Sequence, residues 1–403
     1  MLDGLMVVKY GGSVLEDGHA IRRAAESVKD VVEDGGQVVL VASAMKGMTD
    51  RLLATAKAIS HETPREVVDH IIGLGEEQAV RLMASALRTI GVSAVEVTLD
   101  SPSWPIVTDE SYGDAEPIME ECVERAELGL KPLIERGVVP VVCGFVGRSI
   151  DGNITTLGRG GSDTTAVILA RCLDATDLIL VKDVGGIFSA DPDLVEGAKQ
   201  IETLSVSDAS LLVMSGAEVL HGKVFSYKPD DLKIRIVSIK DPLKDSGSII
   251  RGAIPEIQVS THDGPVHSIT VIGEDVASAG KGALITRAIE DGGGRLHSFK
   301  GGRDSAVFWV NGLAGSVLEG VHGLVDSLDC LKAVSVAEDF ALIEVRGRRL
   351  ANVASSIGRL EAKLSECDIC IRGLVTGHLA VDMLVDWEER LEASRIVEEC
   401  FRR

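Results

Sequence analysis

Apolar positions in the first part of the chain change from a continuous run to a helical spacing and back. Residues 5–8 form a short apolar run, which predicts a buried strand. Beyond it, apolar residues recur every three or four positions, as on one face of a helix: Ile21, Ala24, Ala25, Val28, Val31 and Val32. Gly35-Gly36 ends this helix, and residues 37–44 form the next apolar run. Strand, helix and strand in this order predict a βαβ unit with two parallel strands.

The same alternation continues to about residue 252. Further strands are predicted at 93–99, 138–145, 177–181, 233–237 and 248–250. Helices are predicted from about 63 to 90, with a break at Gly73-Leu74-Gly75, and at 115–136, 166–173 and 205–219. Glu76 and Glu77 open the second part of the broken helix, where carboxylates favour the helix dipole. The pattern indicates an α/β fold, a parallel-rich αβα sandwich.

The pattern changes after Gly252. Residues 253–265 contain two prolines and are interpreted as a linker. Beyond it the predicted order is βαββαβ and then βαββα, with separate strands at 332–337, 341–345 and 368–372 among them. Two such small units side by side are typical of a pair of ferredoxin-like folds. The predicted domains are therefore 1–252, 266–337 and 338–403.

Composition restricts the function more than the fold. The chain has 403 residues, of which 45% are hydrophobic and only 3% aromatic, so its cores depend on aliphatic side chains, as those of parallel sheets do. A formal net charge of −21 argues against nonspecific nucleic-acid binding. No apolar run has membrane-spanning length, and no basic segment precedes an apolar one at the N-terminus. Seven scattered cysteines, an odd number, favour reduced thiols and a cytoplasmic location.

The most specific stretch of the sequence is Thr155-Thr156-Leu157-Gly158-Arg159-Gly160-Gly161-Ser162-Asp163-Thr164-Thr165, between a predicted strand and a predicted helix. Three glycines in four residues permit a tight turn and a close approach of backbone to ligand. Ser162 or Asp163 is expected to cap the helix, whose free N–H groups attract an anion. Arg159 adds paired donors suited to a carboxylate or phosphate. Taken alone, a glycine turn without function explains the stretch about equally well.

A second glycine turn, Lys9-Tyr10-Gly11-Gly12-Ser13, follows the first strand directly. Ligands bind at the carboxyl ends of parallel strands, so we expect the two turns to form one composite site. The sequence has neither a P-loop nor a Gly-x-Gly-x-x-Gly motif, and no cluster with zinc spacing. Two glycine turns beside Lys9 and Arg159 suit phosphoryl transfer, which depends on positioning and charge neutralisation. A carboxylate acceptor is ionised at neutral pH and needs no general base.

These motifs resemble those of the aspartate kinases, within the amino acid kinase family. Residues 9–13 are similar to the family's Lys-Phe-Gly-Gly-Thr turn, and residues 155–165 match its Thr-Thr-Leu-Gly-Arg-Gly-Gly-Ser-Asp-Thr-Thr almost without change. Residues 41–45, Gly75-Glu76 and the segments 183–192 and 216–221 resemble further parts of the family pattern. The resemblance covers residues 5–252, and the paired C-terminal units look like the tandem ACT domains of the same enzymes.

The resemblance implies phosphoryl transfer from ATP to the side-chain carboxylate of L-aspartate, giving 4-phospho-L-aspartate, the first step toward lysine, threonine and methionine. It implies ATP with Mg²⁺ held mainly by the nucleotide phosphates, and no metal site made by the protein itself. The resemblance also implies a role for each matching residue. At the phosphate, Lys9 contacts the transferring group, Asp163 orients this lysine, and the backbone cradle is formed by Gly11, Gly12 and Ser13. At the amino acid, Glu76 holds the aspartate ammonium, Arg159 holds its carboxylate, and the pocket is lined by Ser43, Thr49 and Ser162, while Asp183 and Phe188 border the nucleotide. Singly, each residue has an ordinary structural explanation, such as a helix-start carboxylate for Glu76. Their joint occurrence at strand ends makes that explanation weak.

Three positions depart from the family pattern. Glu218 stands where the family usually has Lys, Asp193 where it has Arg, and Lys182 where it has Thr. Glu218 would repel a triphosphate, so another cation is expected to offset it. We favour Lys182, at the end of a predicted strand, over Lys223, and expect it to act in catalysis and to contact the nucleotide. The alternative is that Lys182 forms a surface ion pair with Glu218, worth under about 1 kcal/mol.

Two other functions remain open from the sequence. The chain could be a different enzyme of the superfamily that acts on another small acid, or a catalytically weak regulatory subunit that binds amino acids through its ACT-type units. The resemblance implies feedback by lysine or threonine and a homodimer or higher homo-oligomer, with no nucleic-acid or membrane partner. The second ACT-type unit has no glycine in its first loop, at Arg348, Arg349 and Leu350, which argues against a ligand there.

Overall fold

The computed structural model describes residues 4–60, 62–217, 219–313, 315–347, 350, 353–377 and 379–402. The chain divides into two compact units, Met1–Ile254 (unit 1) and Pro255–Arg403 (unit 2). Within these described ranges, no helix combines the length and the apolar character needed to cross a membrane.

Unit 1 is built on a sheet of eight strands, with two smaller sheets beside it. Its strands are β1 (Leu5–Tyr10), β2 (Gln37–Ala42), β3 (Ala94–Val97), β4 (Val107–Thr108), β5 (Val139–Cys143), β6 (Val146–Ser149), β7 (Ile154–Thr156), β8 (Asp177–Lys182), β9 (Ile187–Phe188), β10 (Gln200–Ile201), β11 (Thr203–Ser205), β12 (Lys233–Ser238) and β13 (Ser248–Arg251). The main sheet has the order β11-β13-β12-β8-β1-β2-β5-β3. From β12 to β3 all neighbouring strands are parallel, whereas β13 runs antiparallel to β12. The smaller sheets are β4-β6-β7 and β9-β10.

Helices in two layers cover the main sheet. They are α1 (Gly18–Glu33), α2 (Met48–Ile59), α3 (Arg65–Thr89), α4 (Met119–Gly129), α5 (Lys131–Glu135), α6 (Gly161–Cys172), α7 (Val206–Met214) and α8 (Lys223–Tyr227). Helix α1 packs against α3, while α6 packs against α4 and α8. Every residue of β1 is buried, and α6 is buried along most of its length, because both lie inside the sandwich. The predicted α/β fold with a parallel-rich sheet is confirmed.

Helix α3 corrects one prediction. We expected a break at Gly73-Leu74-Gly75, but α3 continues through all three residues. The glycines allow close packing instead: a Cβ on Gly75 would lie 3.1 Å from the Cβ of Ala44, and one on Gly73 would lie 3.2 Å from Cγ1 of Val146. Glu76 therefore lies in the middle of a helix, and its explanation as a helix-start carboxylate is wrong.

The start of α6 corrects a second prediction. The N-cap residue is Gly160, which makes no side-chain cap hydrogen bond, and Ser162 and Asp163 lie in the first turn. Gly160 has φ of +69°, a backbone conformation that favours glycine. The expected cap by Ser162 or Asp163 is wrong, because the chain enters the helix two residues earlier and both side chains are free for other contacts.

Unit 2 contains an antiparallel sheet with helices. Its strands are β14 (Gln258–Thr261), β15 (Val266–Gly273), β16 (Arg295–Gly301), β17 (Ser305–Asn311), β18 (Leu331–Arg346), β19 (Gly373–Gly377) and β20 (Ala380–Asp386). Its helices are α9 (Ala279–Asp291), α10 (Gly315–Ser327), α11 (Val353–Glu366) and α12 (Arg390–Arg402). The strand order is β16-β17-β15-β18-β20-β19, and β14 also pairs with β18. One apolar core forms around Phe308 and another around Met383.

Strand β18 is longer than the sequence indicated. The strands expected at 332–337 and 341–345 are one strand, and the expected boundary between 337 and 338 lies inside it. The first part of β18 pairs with β15 and its last part with β20. Asp339, exposed and with φ of +62°, is a local irregularity that resembles a turn in the sequence. The strand expected at 368–372 is also wrong, since β19 begins at Gly373, and the expected linker 253–265 contains β14.

Candidate active site

One cavity of about 430 Å³ lies at the carboxyl ends of β1 and β2 and the start of α6. Nine of the residues that the sequence singled out line it: Lys9, Gly12, Ser13, Ser43, Thr49, Glu76, Arg159, Ser162 and Asp163. Parallel pairing brings the strand ends together, since Lys9 lies opposite Val41 and the amide of Ser43 donates to the carbonyl of Tyr10 at 3.1 Å. The two glycine turns therefore border a single site.

Asp163 joins two lysines from neighbouring strands. Lys9 Nζ lies 2.6 Å from Oδ1 of Asp163, and Lys182 Nζ donates to Oδ2 at 3.0 Å. The side chains of Lys9 and Asp163 are 7% and 5% exposed, and that of Lys182 is 20% exposed. Two ammonium groups on one carboxylate leave one net positive charge on this group of three residues. Such a group attracts an anion and can neutralise charge that develops on it.

Burial and the two lysines act in opposite directions on Asp163. Burial alone would raise the pKa of its carboxyl group, but the charges of Lys9 and Lys182 outweigh it and lower the pKa to about 2. Burial and the charge of Lys182 together lower the pKa of Lys9, although Asp163 and Glu76 act in the opposite direction. An anion that enters the cavity would stabilise the charged form of Lys9.

Glu76 brings a second carboxyl group into the cavity from α3. The residue is only 3% exposed, and its Oε2 has no hydrogen-bond partner among the residues that the structure describes. Burial raises the pKa of Glu76 to about 8, although a backbone hydrogen bond at Ala44 and the charge of Lys9 act in the opposite direction. A buried oxygen without a partner is costly, and a ligand ammonium would satisfy it.

The glycine turns allow the backbone to approach closely. A Cβ on Gly12 would lie 2.7 Å from the carbonyl oxygen of Ala44, and one on Gly160 would lie 2.2 Å from the Cβ of His221. A Cβ on Gly11 would lie 3.3 Å from Lys9 Nζ and would crowd the ammonium. Gly160 to Ser162 line the cavity at the start of α6, where the positive end of the helix dipole favours a negative charge.

Arg159 lies at the exposed edge of the same cavity. Within the described part of the chain, its guanidinium forms no hydrogen bond or ion pair. Ser162, on the other side of Gly160, is held close to the end of β5, since a Cβ on Gly144 would lie 2.7 Å from Oγ of Ser162. The free guanidinium can bind a carboxylate through two parallel hydrogen bonds.

The residues expected at the nucleotide are less closely grouped. Lys182 reaches the site through Asp163, and Gly11 adjoins Lys9. Asp183 and Phe188 do not line this cavity: Asp183 is exposed, and Phe188 belongs to the β9–β10 hairpin. No group of three or more His, Cys, Asp or Glu side chains that could hold a metal ion occurs in the described residues.

The three departures have different positions. Asp193 is exposed, and its amide donates to the side chain of Asp191 at 2.9 Å. Glu218 lies outside the described residues. Lys182 contacts Asp163 beside the cavity, whereas Lys223 forms ion pairs with the side chains of two acidic residues, Asp114 at 3.0 Å and Glu116 at 2.9 Å. The geometry therefore favours Lys182 over Lys223 as the second cation of the site.

Phe145 and Lys46 are among the residues of the cavity wall that were not predicted. Phe145 follows β5 with φ of +70°, and its amide donates to Oγ1 of Thr165 at 3.0 Å. Lys46 also lines the cavity and forms an ion pair with Glu16. Its place just after β2 was a signal that sequence reasoning could have used. The backbone angle of Phe145 left no such signal.

A parallel sheet with glycine turns and a lysine–aspartate–lysine group at its carboxyl edge defines a kinase that acts on small molecules. The chain belongs to the amino acid kinase family, whose model matches residues 4–238.

Aspartokinases are similar to this chain in sequence. The aspartokinase of Mycolicibacterium smegmatis is 34% identical over 298 residues, which cover 71% of this chain and 68% of the relative. The aspartokinase of Geobacillus stearothermophilus is 36% identical over 226 residues, which cover 56% of this chain and 53% of the relative.

Solved aspartokinase structures share the fold. Escherichia coli aspartokinase III in complex with aspartate and ADP matches with a TM-score of 0.57 and 22% identity, over 99% of this chain and 100% of that one. The aspartate kinase from Synechocystis matches with a TM-score of 0.76 and 23% identity, over 99% of this chain and 70% of that one.

Proposed function

We propose that this chain is an aspartate kinase, which transfers the γ-phosphoryl group of ATP to the side-chain carboxylate of L-aspartate. The observation that carries the proposal is Glu76, whose buried and unpartnered oxygen shares one cavity with Arg159 and with the Lys9–Asp163 pair. The aspartokinase relatives support it, and so does the solved E. coli enzyme, which holds aspartate and ADP. The other superfamily substrates and the purely regulatory role have no comparable support.

The cavity offers one partner to each group of the amino acid. Glu76 receives the ammonium, and Arg159 receives the α-carboxylate. The hydroxyl groups of Ser43, Thr49 and Ser162 border the same space and can donate further hydrogen bonds. This leaves the side-chain carboxylate free to point toward Lys9.

The reaction needs no proton transfer. An oxygen of the ionised carboxylate attacks the γ-phosphorus, and the bond from that phosphorus to the oxygen of the leaving ADP breaks as the new one forms. Lys9 and Lys182 neutralise charge on the transferring group, and Asp163 holds both ammonium groups in place. Gly11, Gly12 and Ser13 give the phosphate a backbone cradle. Mg²⁺ bound together with ATP would offset part of the phosphate charge.

Regulation is assigned to unit 2 as part of the same proposal. We expect ACT-type units at 266–337 and 338–403 that pair between two copies of the chain, with lysine or threonine bound in unit 2. An E. coli aspartokinase III structure contains lysine together with aspartate, which supports an amino-acid effector. On the nucleotide side we expect Asp183 and Phe188 to border ATP.

A substrate panel tests the activity directly. ADP release is measured with L-aspartate, L-glutamate and N-acetylglutamate at equal ATP. We expect turnover with L-aspartate and none with L-glutamate or N-acetylglutamate. Turnover with another acid, or none at all, would replace the proposal with one of the two alternatives.

Arg159→Lys tests the role of the guanidinium. Lysine keeps the charge but loses the two parallel hydrogen bonds to a carboxylate, so we expect the KM for aspartate to rise by about ten-fold or more. The KM for ATP should stay within about two-fold, since the nucleotide is bound elsewhere. An unchanged KM for aspartate would show that Arg159 does not hold the substrate.

A further inference from the structure

Asp69 is a buried carboxylate outside the cavity of the active site. It lies on α3 and is only 2% exposed. Its Oδ2 accepts the amides of Gly113 and Thr156, both at 2.9 Å, and its Oδ1 accepts the hydroxyl of Thr156 at 3.0 Å. These donors lie 44 and 87 residues away along the chain. One side chain therefore joins three separate segments.

The segments that Asp69 joins lead directly to Arg159. Thr156 ends β7, three residues before Arg159, and its carbonyl accepts the amide of Ala115 at 2.8 Å. A Cβ on Gly158 would lie 2.3 Å from Oδ1 of Asp114, so this stretch also packs tightly against the arginine turn. Asp69 thus anchors the turn from two sides.

The same helix carries Glu76. Seven residues separate Asp69 from Glu76, which is close to two helical turns, so both carboxyl groups lie on one face of α3. Glu76 is the proposed partner of the substrate ammonium, and the turn fixed by Asp69 carries the proposed partner of the carboxylate. The distance between the two partners therefore depends on the contact between α3 and β7.

Open space lies beside the turn. A second cavity of about 450 Å³ is lined by Asp69, Thr156, Gly158 and Arg159 and by apolar side chains of α2 and α3 such as Leu53 and Ile72. Gly158 and Arg159 line both cavities. Without its anchor, the turn has room to move away from the substrate.

We propose that Asp69 is a positioning residue, which holds the Arg159 turn at the distance from Glu76 that a short amino acid requires. The inference rests on the proposed function for the identity of the substrate. It adds a residue that does not touch the substrate and acts only through Thr156 and Gly113.

Kinetics separate this role from a general loss of stability. For Asp69→Ala we expect the KM for aspartate to rise by about ten-fold or more, because a small displacement of a binding group has a large effect. The kcat and the KM for ATP should stay within about two-fold. Asp69→Asn keeps an oxygen for the two amides and should recover most of the loss. Asp17→Ala is the matched control, because Asp17 also accepts a backbone amide, that of Ala20 at 2.8 Å, but at the start of α1.

The results that would overturn the proposal are equal changes in kcat and both KM values for Asp69→Ala, or no recovery by Asp69→Asn. If Asp69→Ala does not fold, Thr156→Val replaces it: it removes only the hydroxyl contact and should raise the KM for aspartate by about three-fold, since each lost contact loosens the turn. An unchanged KM for aspartate in Thr156→Val would also overturn the proposal.

Hydrogen exchange of the amides at 157–164 tests the anchor without any substrate. We expect faster exchange in Asp69→Ala than in Asp17→Ala, and unchanged exchange would overturn the proposal. If the wild-type chain is inactive with aspartate while the two variants still differ in exchange, the proposed function is refuted but the anchoring role of Asp69 is not.

Discussion

Burial determines the charge of Glu76 in the substrate-free site. Its pKa of about 8 means that the carboxyl group is largely protonated at neutral pH, and only the ionised form can pair with an ammonium group. Substrate binding at neutral pH must therefore remove this proton. A substrate ammonium would also provide the hydrogen-bond partner that Oε2 lacks among the described residues.

The KM for aspartate should therefore depend on pH. It is expected to fall by up to about ten-fold per unit as the pH rises toward 8, because a growing fraction of Glu76 is ionised before binding, and then to level off. In Glu76→Gln the KM should be higher and nearly independent of pH over this range. Initial rates at saturating ATP measure both, and a wild-type KM that is flat between about pH 6 and 8 would contradict the assignment.

Lys182 tests the lysine–aspartate–lysine group. In the proposed reaction its ammonium offsets charge on the transferring phosphoryl group, so Lys182→Ala should lower kcat by about ten-fold or more. Lys223→Ala is the comparison, because Lys223 is already paired with Asp114 and Glu116, and its kcat should change by less than about two-fold. If kcat and the KM for ATP are both unchanged in Lys182→Ala, the proposed role of Lys182 in catalysis is contradicted.

The residues of the candidate site could be predicted from the sequence, but their contacts could not. Motifs placed Lys9, Arg159 and Asp163 at strand ends, and the structure brings them to one cavity. The left-handed backbone of Phe145 and the hydrogen bonds of Asp69 depend on segments far apart in the chain. No local pattern contains that information.

Two glycines inside helices differ in their effect on stability. Gly75 of α3 is buried beside Ala44, whereas Gly358 of α11 is exposed with no atom near the position of a Cβ. The first is required by packing, and the second only weakens its helix.

The same substitution at both positions should change stability in opposite directions. Gly75→Leu should lower the free energy of unfolding by about 1–3 kcal/mol because it overpacks the contact with Ala44. Gly358→Leu should raise it by about 0.5–1 kcal/mol, since leucine is a far better helix former. Denaturant unfolding measures both values. Equal effects at the two sites would show that packing does not explain Gly75.

Helices and strands were predictable where the apolar period was long and regular. The parallel strands of unit 1 followed from continuous aliphatic runs. The errors occurred where one residue serves two purposes: Gly73 and Gly75 allow packing in α3 but look like a break, and the exposed Asp339 interrupts the apolar pattern of β18 without ending it. Only the neighbours of these residues distinguish the two cases.

The two compact units suggest a separation of tasks in the whole molecule. All residues proposed for catalysis belong to unit 1, and the proposed effector sites belong to unit 2. We expect lysine or threonine to inhibit the full chain, and a truncated chain that ends at Ile254 to lose this response. Activity measured with each amino acid tests this. A truncated chain that both amino acids still inhibit fully would contradict the assignment of regulation to unit 2.

The long strand β18 limits where unit 2 can be cut. Since β14 precedes a cut at 337/338 but pairs with residues 343–346 of β18 beyond it, such a cut would leave unpaired edges on both fragments, which other chains could join. The repeated pattern in the sequence suggests two modules, but the hydrogen-bonded sheet is one. Gene fusions that transfer unit 2 to another enzyme should therefore keep everything from β14 to α12 together.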